Sequence, residues 1–243
     1  MDTKLYGEMA EMEKTHWWFL GRRAVLTDVL LRFKKDRKNL LDVGAGTCLN
    51  TADFKKIGFN AVALESHPEA LALAATVAPD VEIIQVPFPS PRIQSNMYDV
   101  VTLLDVLEHL KDDTDSLEEV HRILAPNGIA LITVPAFMFL WTSHDVRAHH
   151  FRRYRRNELV SKLKSAGFEP CFVSYYNFFL FPPIALVRFI QKFVVQKNET
   201  SDFSRSPAVL NSFFAFLFGI ERFLLRFIIL PFGVSLIAVA RKK

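Results

Sequence analysis

Cysteine is scarce in this chain. Cys48 and Cys171 are the whole supply in 243 residues, too few for a disulfide framework or a four-cysteine zinc site. That scarcity points to a reducing, intracellular setting. Met1 to Lys14 is polar and acidic, with no apolar stretch that reads as a secretory signal. Long uncharged runs are also lacking in the phenylalanine-rich last third of the chain. The longest there, Pro170–Val187, has 18 residues but carries three prolines, two tyrosines and an asparagine, and Pro207–Leu230 is interrupted by Glu221, Arg222 and Arg226. A spanning helix needs about 20 mostly apolar residues with few charges, so neither stretch is expected to cross a membrane. The net charge of +4 is small for the length and does not by itself ask for nucleic acid.

Apolar residues are present in quantity. They make up 50% of the chain, enough for a substantial core and against wholesale disorder. The length suits one large α/β domain or a core with an elaboration. Of 23 phenylalanines, 14 fall between Phe172 and Phe232, so that quarter of the chain is a different material from the rest.

Residues 4–33 read as helical. The period then shortens: Asn39–Val43, Asn60–Glu65, Val81–Val86, Tyr98–Leu104 and Gly128–Val134 are short apolar runs that read as buried strands. Between them Leu49–Ile57, Pro68–Val77 and Asp112–Leu124 read as helices. Apolar strands alternating with helices predict a parallel sheet covered on both faces, and right-handed crossovers make it doubly wound. Further on, Asn157–Ala166 reads as a helix with Asn157 as N-cap and Gly167 as its stop. Phe168–Tyr176 reads as a strand, Phe178–Lys197 and Pro207–Leu230 as apolar helices joined by a polar linker Asn198–Ser206, and Phe232–Ala240 as a last strand.

Where the first strand meets the first crossover helix stands Asp42-Val-Gly44-Ala45-Gly46-Thr-Cys48. Small residues there let backbone approach a ligand, and a helix start offers free N–H groups. Glu65 closes the second strand, 21 residues after Gly44, where a carboxylate can accept both hydroxyls of a ribose. Dinucleotide and S-adenosylmethionine sites share this layout. The third small position is not glycine, so G-x-G-x-x-G fails, and no Tyr-x-x-x-Lys pair serves hydride chemistry; both count against a dinucleotide oxidoreductase.

Three motifs in register, Asp42–Cys48, then Tyr98-Asp99-Val-Val-Thr-Leu-Leu104-Asp105-Val-Leu-Glu108-His109-Leu, then Leu124-Ala-Pro126-Asn-Gly128, resemble the class I S-adenosylmethionine-dependent methyltransferases. His16–Arg23 and Val134–Tyr154 are similar to a small-molecule branch of that family. The likeness covers roughly residues 10 to 176 and the last strand. It implies a Rossmann-like, doubly wound seven-stranded sheet whose last strand is antiparallel, with S-adenosylmethionine as cofactor. It also implies a division into an N-terminal helical cap (1–38), a cofactor-binding core (39–176), an aromatic-rich helical insertion between strands six and seven (177–231) and the last core strand (232–243). Carried over position by position, Gly44, Ala45 and Gly46 pass under the methionine part with Asp42 setting the turn. Glu65 holds the ribose, and backbone at Leu104 and Asp105 meets the amino acid moiety. Trp18 and Arg22 close over the cofactor, Arg22 pairing with its carboxylate; the alternative for Trp18 is an ordinary core aromatic. The acidic residue that the family commonly carries after the third strand is replaced by Gln85-Val86-Pro87-Phe88.

Methyl transfer from a sulfonium is an in-line displacement, so positioning dominates, and effective molarity can contribute about 7–11 kcal/mol. A base is needed only where the acceptor must lose a proton, and histidine suits that task. The resembling branch carries an aspartate, four residues, a histidine, one residue and Arg-Arg-Tyr, matched here by Asp145, His150, Arg152, Arg153 and Tyr154. The resemblance therefore implies His150 or His144 as base, with Trp141, Asp145, Arg152, Arg153 and Tyr154 around the acceptor. No metal is expected, since His144, Asp145, His149 and His150 match no zinc spacing. Five arginines, at 147, 152, 153, 155 and 156, read either as a solvated, salt-bridged face or as a phosphate reader.

In the second apolar helix Asn211, Ala215, Gly219, Arg222 and Arg226 recur at helical spacing as one narrow polar or small stripe. Three placements follow: burial in the domain or in a homodimer interface, contact with a membrane surface, or a lid over a greasy substrate. The expectation is a methyltransferase for a small, hydrophobic or lipid-linked acceptor, cytoplasmic, with peripheral contact at the inner face of a membrane through 177–231 as one option. Nucleic acid is not expected as a partner, since the Asn-Pro-Pro-Tyr of base-amine methylation is absent after the fourth strand. The alternative is a non-catalytic S-adenosylmethionine-binding or membrane-docking protein of the same fold.

Overall fold

A computed structural model describes residues 3–191 and 207–243. Seven strands form one sheet in the order β3-β2-β1-β4-β5-β7-β6. They are β1 (Asn39–Val43), β2 (Asn60–Leu64), β3 (Ile83–Ile84), β4 (Tyr98–Leu104), β5 (Leu124–Pro135), β6 (Phe168–Tyr176) and β7 (Ser235–Lys242). The first five are parallel, and β7 is antiparallel to both its neighbours. The order reverses between β1 and β4, so the crevice beyond their carboxyl ends is the natural ligand position in this architecture. The glycine turn after β1 and the Leu104–Asp105 end of β4 both open on it.

Helices α1 (Thr3–Met12) and α2 (Trp17–Lys34) precede the sheet. The single helical region expected over residues 4–33 is broken between them, where the N-cap His16 accepts from the Trp18 amide. Between the strands lie α3 (Leu49–Lys56), α4 (Pro68–Val77, with proline in its first turn) and α5 (Asp113–Ile123). Asp112 caps α5 by accepting from the amides of Thr114 and Asp115 at 3.1 and 3.0 Å. After β5 come α6 (Ser143–Arg147) and α7 (Arg156–Ser165). Asn157 lies inside the first turn of α7 and is not its N-cap. Arg155 holds that place, its amide donating to Glu158. Gly167, at φ +86°, ends the segment as expected. The strand read over Val81–Val86 shrinks to two paired residues at the sheet edge, just before Pro87, which has no donor for a ladder.

Between β6 and β7 stand α8 (Phe181–Gln191), α9 (Ala208–Gly219) and α10 (Glu221–Leu224). The helix expected from Phe178 starts three residues later, and the one expected over Pro207–Leu230 is two helices that meet at Ile220. The polar linker Asn198–Ser206 lies outside the described residues. The stripe of small and polar residues on α9 faces inward, onto α2: Asn211 accepts from the Trp17 amide and donates to the Thr15 carbonyl, each at 2.8 Å. Phe218 is fully buried against Gly21, and Gly219 faces Ala24. No described helix is long and apolar enough to cross a membrane.

Candidate active site

A cavity of about 910 Å³ opens at the reversal point of the sheet. Its inner end is the turn after β1. Gly44 and Gly46 both take left-handed backbone angles, φ +63° and +57°. A Cβ on Gly44 would strike the Val106 side chain at 2.8 Å, whereas one on Gly46 would meet nothing within 4 Å and would stand in the cavity. That open cradle suits a ligand lying directly on backbone. Cys48 also takes φ +61°, as N-cap of α3, and is buried, so the third small position of the turn is filled without glycine. Beneath the turn Asp42 is buried and accepts from the hydroxyls of Thr51 and Thr102, both at 2.6 Å. It braces the turn and does not line the cavity.

Glu65 lines the cavity and ties the turn to β2: one oxygen accepts from the Gly46 amide at 2.9 Å, the other from the amides of Ser66 and His67 at 2.8 Å. The oxygen bound to the Gly46 amide keeps a further lone-pair direction for a hydroxyl. Leu104, Asp105 and Val106 form the opposite lip, with Asp105 at φ +58°, a costly angle for a residue other than glycine. The buried Arg22 reaches Asp105 at 2.5 Å and lies over the Trp18 ring, 5.2 Å from its centroid. Tyr6, Met9 and Glu13 of α1 complete this end.

At the outer end the cavity meets Glu108, His109, His144 and His150. His150 Nδ1 lies 2.8 Å from Asp145 Oδ1. A carboxylate accepts only, so Nδ1 carries the proton and, in the neutral ring, Nε2 keeps its lone pair. Asp145 is fully buried, takes two 2.8 Å bonds from the Arg153 guanidinium and accepts from the Thr142 amide. Burial alone would push its carboxyl up. The hydrogen bonds from His150 and Arg153 outweigh that and hold it below the usual range. Glu108, 4.0 Å from His150 Nε2, is fully buried with both oxygens unpartnered, and burial together with the Asp105 charge pushes its carboxyl well up, toward the neutral acid. His109 packs edge-on to His150, and burial and His150 push it down to about 3, so it is neutral at ordinary pH. Ligand atoms of Glu108, His109 and His150 lie within 4.8 Å of one another, the grouping among the described residues that could hold a metal ion. The far wall is largely apolar, with Leu180, then Pro183, Ile184 and Val187 of α8 and Phe214 of α9, and holds one cation, Arg188, which donates to the Leu140 carbonyl at 2.7 Å.

The sequence pattern described as "Methyltransferase domain" matches residues 19–171, which hold every strand-end residue of this cavity up to the loop after β5. The chain belongs to this methyltransferase family. It is similar to a "probable S-adenosylmethionine-dependent methyltransferase" of Mycobacterium tuberculosis, 24% identical over 160 residues, or 65% of this chain and 58% of the relative. The chain thus spans somewhat over half the length of that relative. A ubiquinone biosynthesis O-methyltransferase of a Caulobacter species is 28% identical over 116 residues, 42% of this chain and 46% of the relative. Among solved structures, a SAM-dependent methyltransferase from Archaeoglobus fulgidus superposes with a TM-score of 0.59 over 95% of this chain and 97% of its own, at 13% identity. That likeness speaks for the fold.

Several expected site residues stand elsewhere in the structure. Asp145 does not touch the cavity; it orients His150. Tyr154 is buried and donates to Asp113 at 2.9 Å, and Arg152 pairs with the same Asp113 at 2.8 Å, so neither reaches an acceptor. Trp141 stands edge-on to His150, with ring centroids 6.5 Å apart, outside the cavity wall. Arg153 does line it, though both its outer nitrogens are committed to Asp145 and to the Ala136 carbonyl. Arg147 pairs with Glu8, and Arg156 donates to the Val173 carbonyl. Four arginines of the run, Arg147, Arg152, Arg153 and Arg156, are therefore spent on partners within the fold, and Arg155 is exposed. Arg22, expected to pair with the cofactor's carboxylate, meets the carboxylate of Asp105 in this structure. The wall supplied by α1 was not foreseen, because nothing in that segment carries a motif, whereas α8 and Phe214 of α9 line the cavity as one of the placements weighed for the insertion, a cover over the substrate. Glu108 lies within the motif after β4, but nothing in that motif marks it as part of the cavity wall.

Proposed function

We propose that the chain transfers a methyl group from S-adenosylmethionine to a hydroxyl, phenolic in character, on a small acceptor with a hydrophobic or lipid-linked tail. The observation that carries this reading is the Asp145–His150 pair, whose free Nε2 edge turns toward a cavity that runs from the glycine turn to an apolar wall. S-adenosylmethionine, when bound, supplies an electrophilic methyl on a sulfonium. Gly44–Gly46 give the backbone bed for it, Glu65 takes the ribose hydroxyls, and Leu104 and Asp105 border its amino acid end. Trp18 and α1 close over it and exclude water.

At the outer end His150 takes the acceptor's proton at Nε2. Asp145 fixes the tautomer and stabilises the imidazolium that forms, and Arg153 holds Asp145 in place. Glu108, whose carboxyl burial pushes toward the neutral acid, has an O–H to donate to the acceptor. General-base help of this kind typically contributes about 10²–10⁴-fold. The name of the Caulobacter relative, a ubiquinone biosynthesis O-methyltransferase, supports an oxygen as the methylated atom, and the α8 wall supports a tail. Exposed apolar residues on α8–α10 support peripheral contact with a membrane, where such acceptors reside.

The test is turnover with S-adenosylmethionine on a tailed and an untailed phenol. Methylation of both, with a lower KM for the tailed one, is expected. Cofactor binding in calorimetry with no turnover on either would favour the non-catalytic alternative. Loss of binding in Glu65→Ala, with weaker loss in Glu65→Gln, is expected from the ribose contact.

A further inference from the structure

We propose that the groove between α2 and α10 is a phosphate-headgroup site through which the α8–α10 face docks on an anionic bilayer leaflet. This rests on the reading of the acceptor as an amphiphile and adds the partner that presents it. Helix α9 spends its polar and small positions, with Phe218, on α2, while Val209, Leu210, Phe213 and Phe216 of the same helix are exposed. Phe216, Ile220, Phe223 and Phe227, at spacings of four, three and four, are all exposed, Phe216 by 67% and Phe227 by 86%. On α8, Leu186, Phe189 and Ile190 are exposed as well, beside the Val187 that lines the cavity. The apolar surface is therefore continuous with the cavity wall.

The charge on this face has one sign. Among the described residues from 177 to 231 the cations are Arg188, Arg222 and Arg226, and the single carboxylate, Glu221, is fully buried. An acidic surface is the complementary partner. The groove itself gathers three arginines, Arg23, Arg222 and Arg226, and one carboxylate, Asp28, around Thr27 and Phe223, so cations remain in excess. Two of the guanidinia are fixed: Arg226 by both oxygens of Asp28, and Arg23 by Asp53 at 3.6 Å and by the Glu13 carbonyl. Arg222 lies over the Phe223 ring at 4.7 Å and has no carboxylate partner among the described residues. One guanidinium held against an aromatic ring, between two anchored ones, suits a phosphate oxygen pair. A soluble phosphate would leave the flanking phenylalanines in water. A phospholipid covers them, since Leu31 and Phe223, both exposed at the groove, continue into the apolar stripe.

The full chain is floated with vesicles of phosphatidylcholine alone and of phosphatidylcholine with about a quarter phosphatidylglycerol. Binding to both is expected, several-fold tighter to the anionic set, with the preference fading as salt rises. Arg222→Gln should reduce that preference roughly fivefold while leaving neutral vesicles bound as before, and Phe216→Ser with Phe227→Ser should weaken both. Equal binding of wild type to the two compositions, or an unchanged preference in Arg222→Gln, overturns the headgroup site. A dimer in sedimentation that the Phe216/Phe227 variant dissolves, with no vesicle binding, assigns the face to a second copy and overturns the proposal. Turnover of a water-soluble untailed phenol in the same preparation separates the two claims. Activity without vesicle binding removes the docking alone, and vesicle binding without activity removes the methyl-transfer reading.

Discussion

Phe218 of α9 lies directly over Gly21 of α2, so closely that a Cβ on Gly21 would stand 2.5 Å from the ring. The helix that bears Trp18 and Arg22 is thereby fastened to the aromatic insertion, and each holds one side of the cavity. Gly21→Ala should be destabilising. Glycine to alanine in a helix interior contributes about 1 kcal/mol favourably, but forcing a methyl into a packed aromatic costs about 1–3 kcal/mol, and here the ring is fully buried with nowhere to go. A lower melting temperature by about 2–4 °C is expected, together with a raised KM for the acceptor. A melting point at or above wild type would mean that α9 can slide away.

His150→Ala should lower kcat by about 10²–10⁴-fold with cofactor affinity unchanged, because the residue stands at the opposite end of the cavity from the glycine turn. His144→Ala, whose ring lies 6.2 Å from that of His150, should cost far less. If the two variants lose activity equally, the base is not assigned by the Asp145 contact. Calorimetry on both variants separates loss of chemistry from loss of binding.

Much of this fold was legible because buried parallel strands are short apolar runs closed by glycine or a helix cap. Asn39–Val43 ending at Gly44, and Pro68–Val77 with proline in its first turn, are found as read. Errors arose where contacts between distant segments decide. Asp145 looks the same on the page whether it meets an acceptor or Arg153, and Arg152 the same whether it meets phosphate or Asp113, 39 residues away in sequence. The stripe on α9 was visible, but not its direction. A narrow polar stripe normally faces water, and here the Trp17 amide and Thr15 carbonyl claim it. Glu221 gave no sequence signal at all, since its partners are backbone amides at the end of β6.

Zinc should inhibit. Glu108, His109 and His150 place three ligand atoms within 4.8 Å, and His109, neutral at ordinary pH, is ready to bind without first losing a proton. A metal there would take the Nε2 lone pair that proton removal requires. Added zinc is expected to compete with the acceptor, the chelator EDTA to restore the rate, and His109→Gln to blunt the inhibition. Stimulation by zinc, with loss of activity on chelation, would reverse the assignment and make these residues a catalytic metal site.

Glu221 should tilt the stability of the protein against alkaline pH. It is fully buried and accepts from the amides of Phe178 and Phe179 at 2.7 and 3.0 Å, pinning the entrance to α8. Burial raises its carboxyl from 4.5 to about 7, only partly opposed by those amides. The folded chain therefore holds this proton more tightly than the unfolded one, and from pH 4.5 to about 7 stability falls as pH rises, by about 3 kcal/mol in all. His109 acts with the opposite sign: its proton is held more weakly in the fold, so its contribution rises from about pH 3 to 6.5. The two windows overlap, so the slope has to be read as a difference between variants. Glu221→Gln keeps an oxygen for both amides and removes the titration. Its stability relative to wild type should be nearly flat below pH 4.5 and should improve steadily between there and neutrality in urea melts. A constant difference across that range would show that Glu221 titrates in the fold as it does in water.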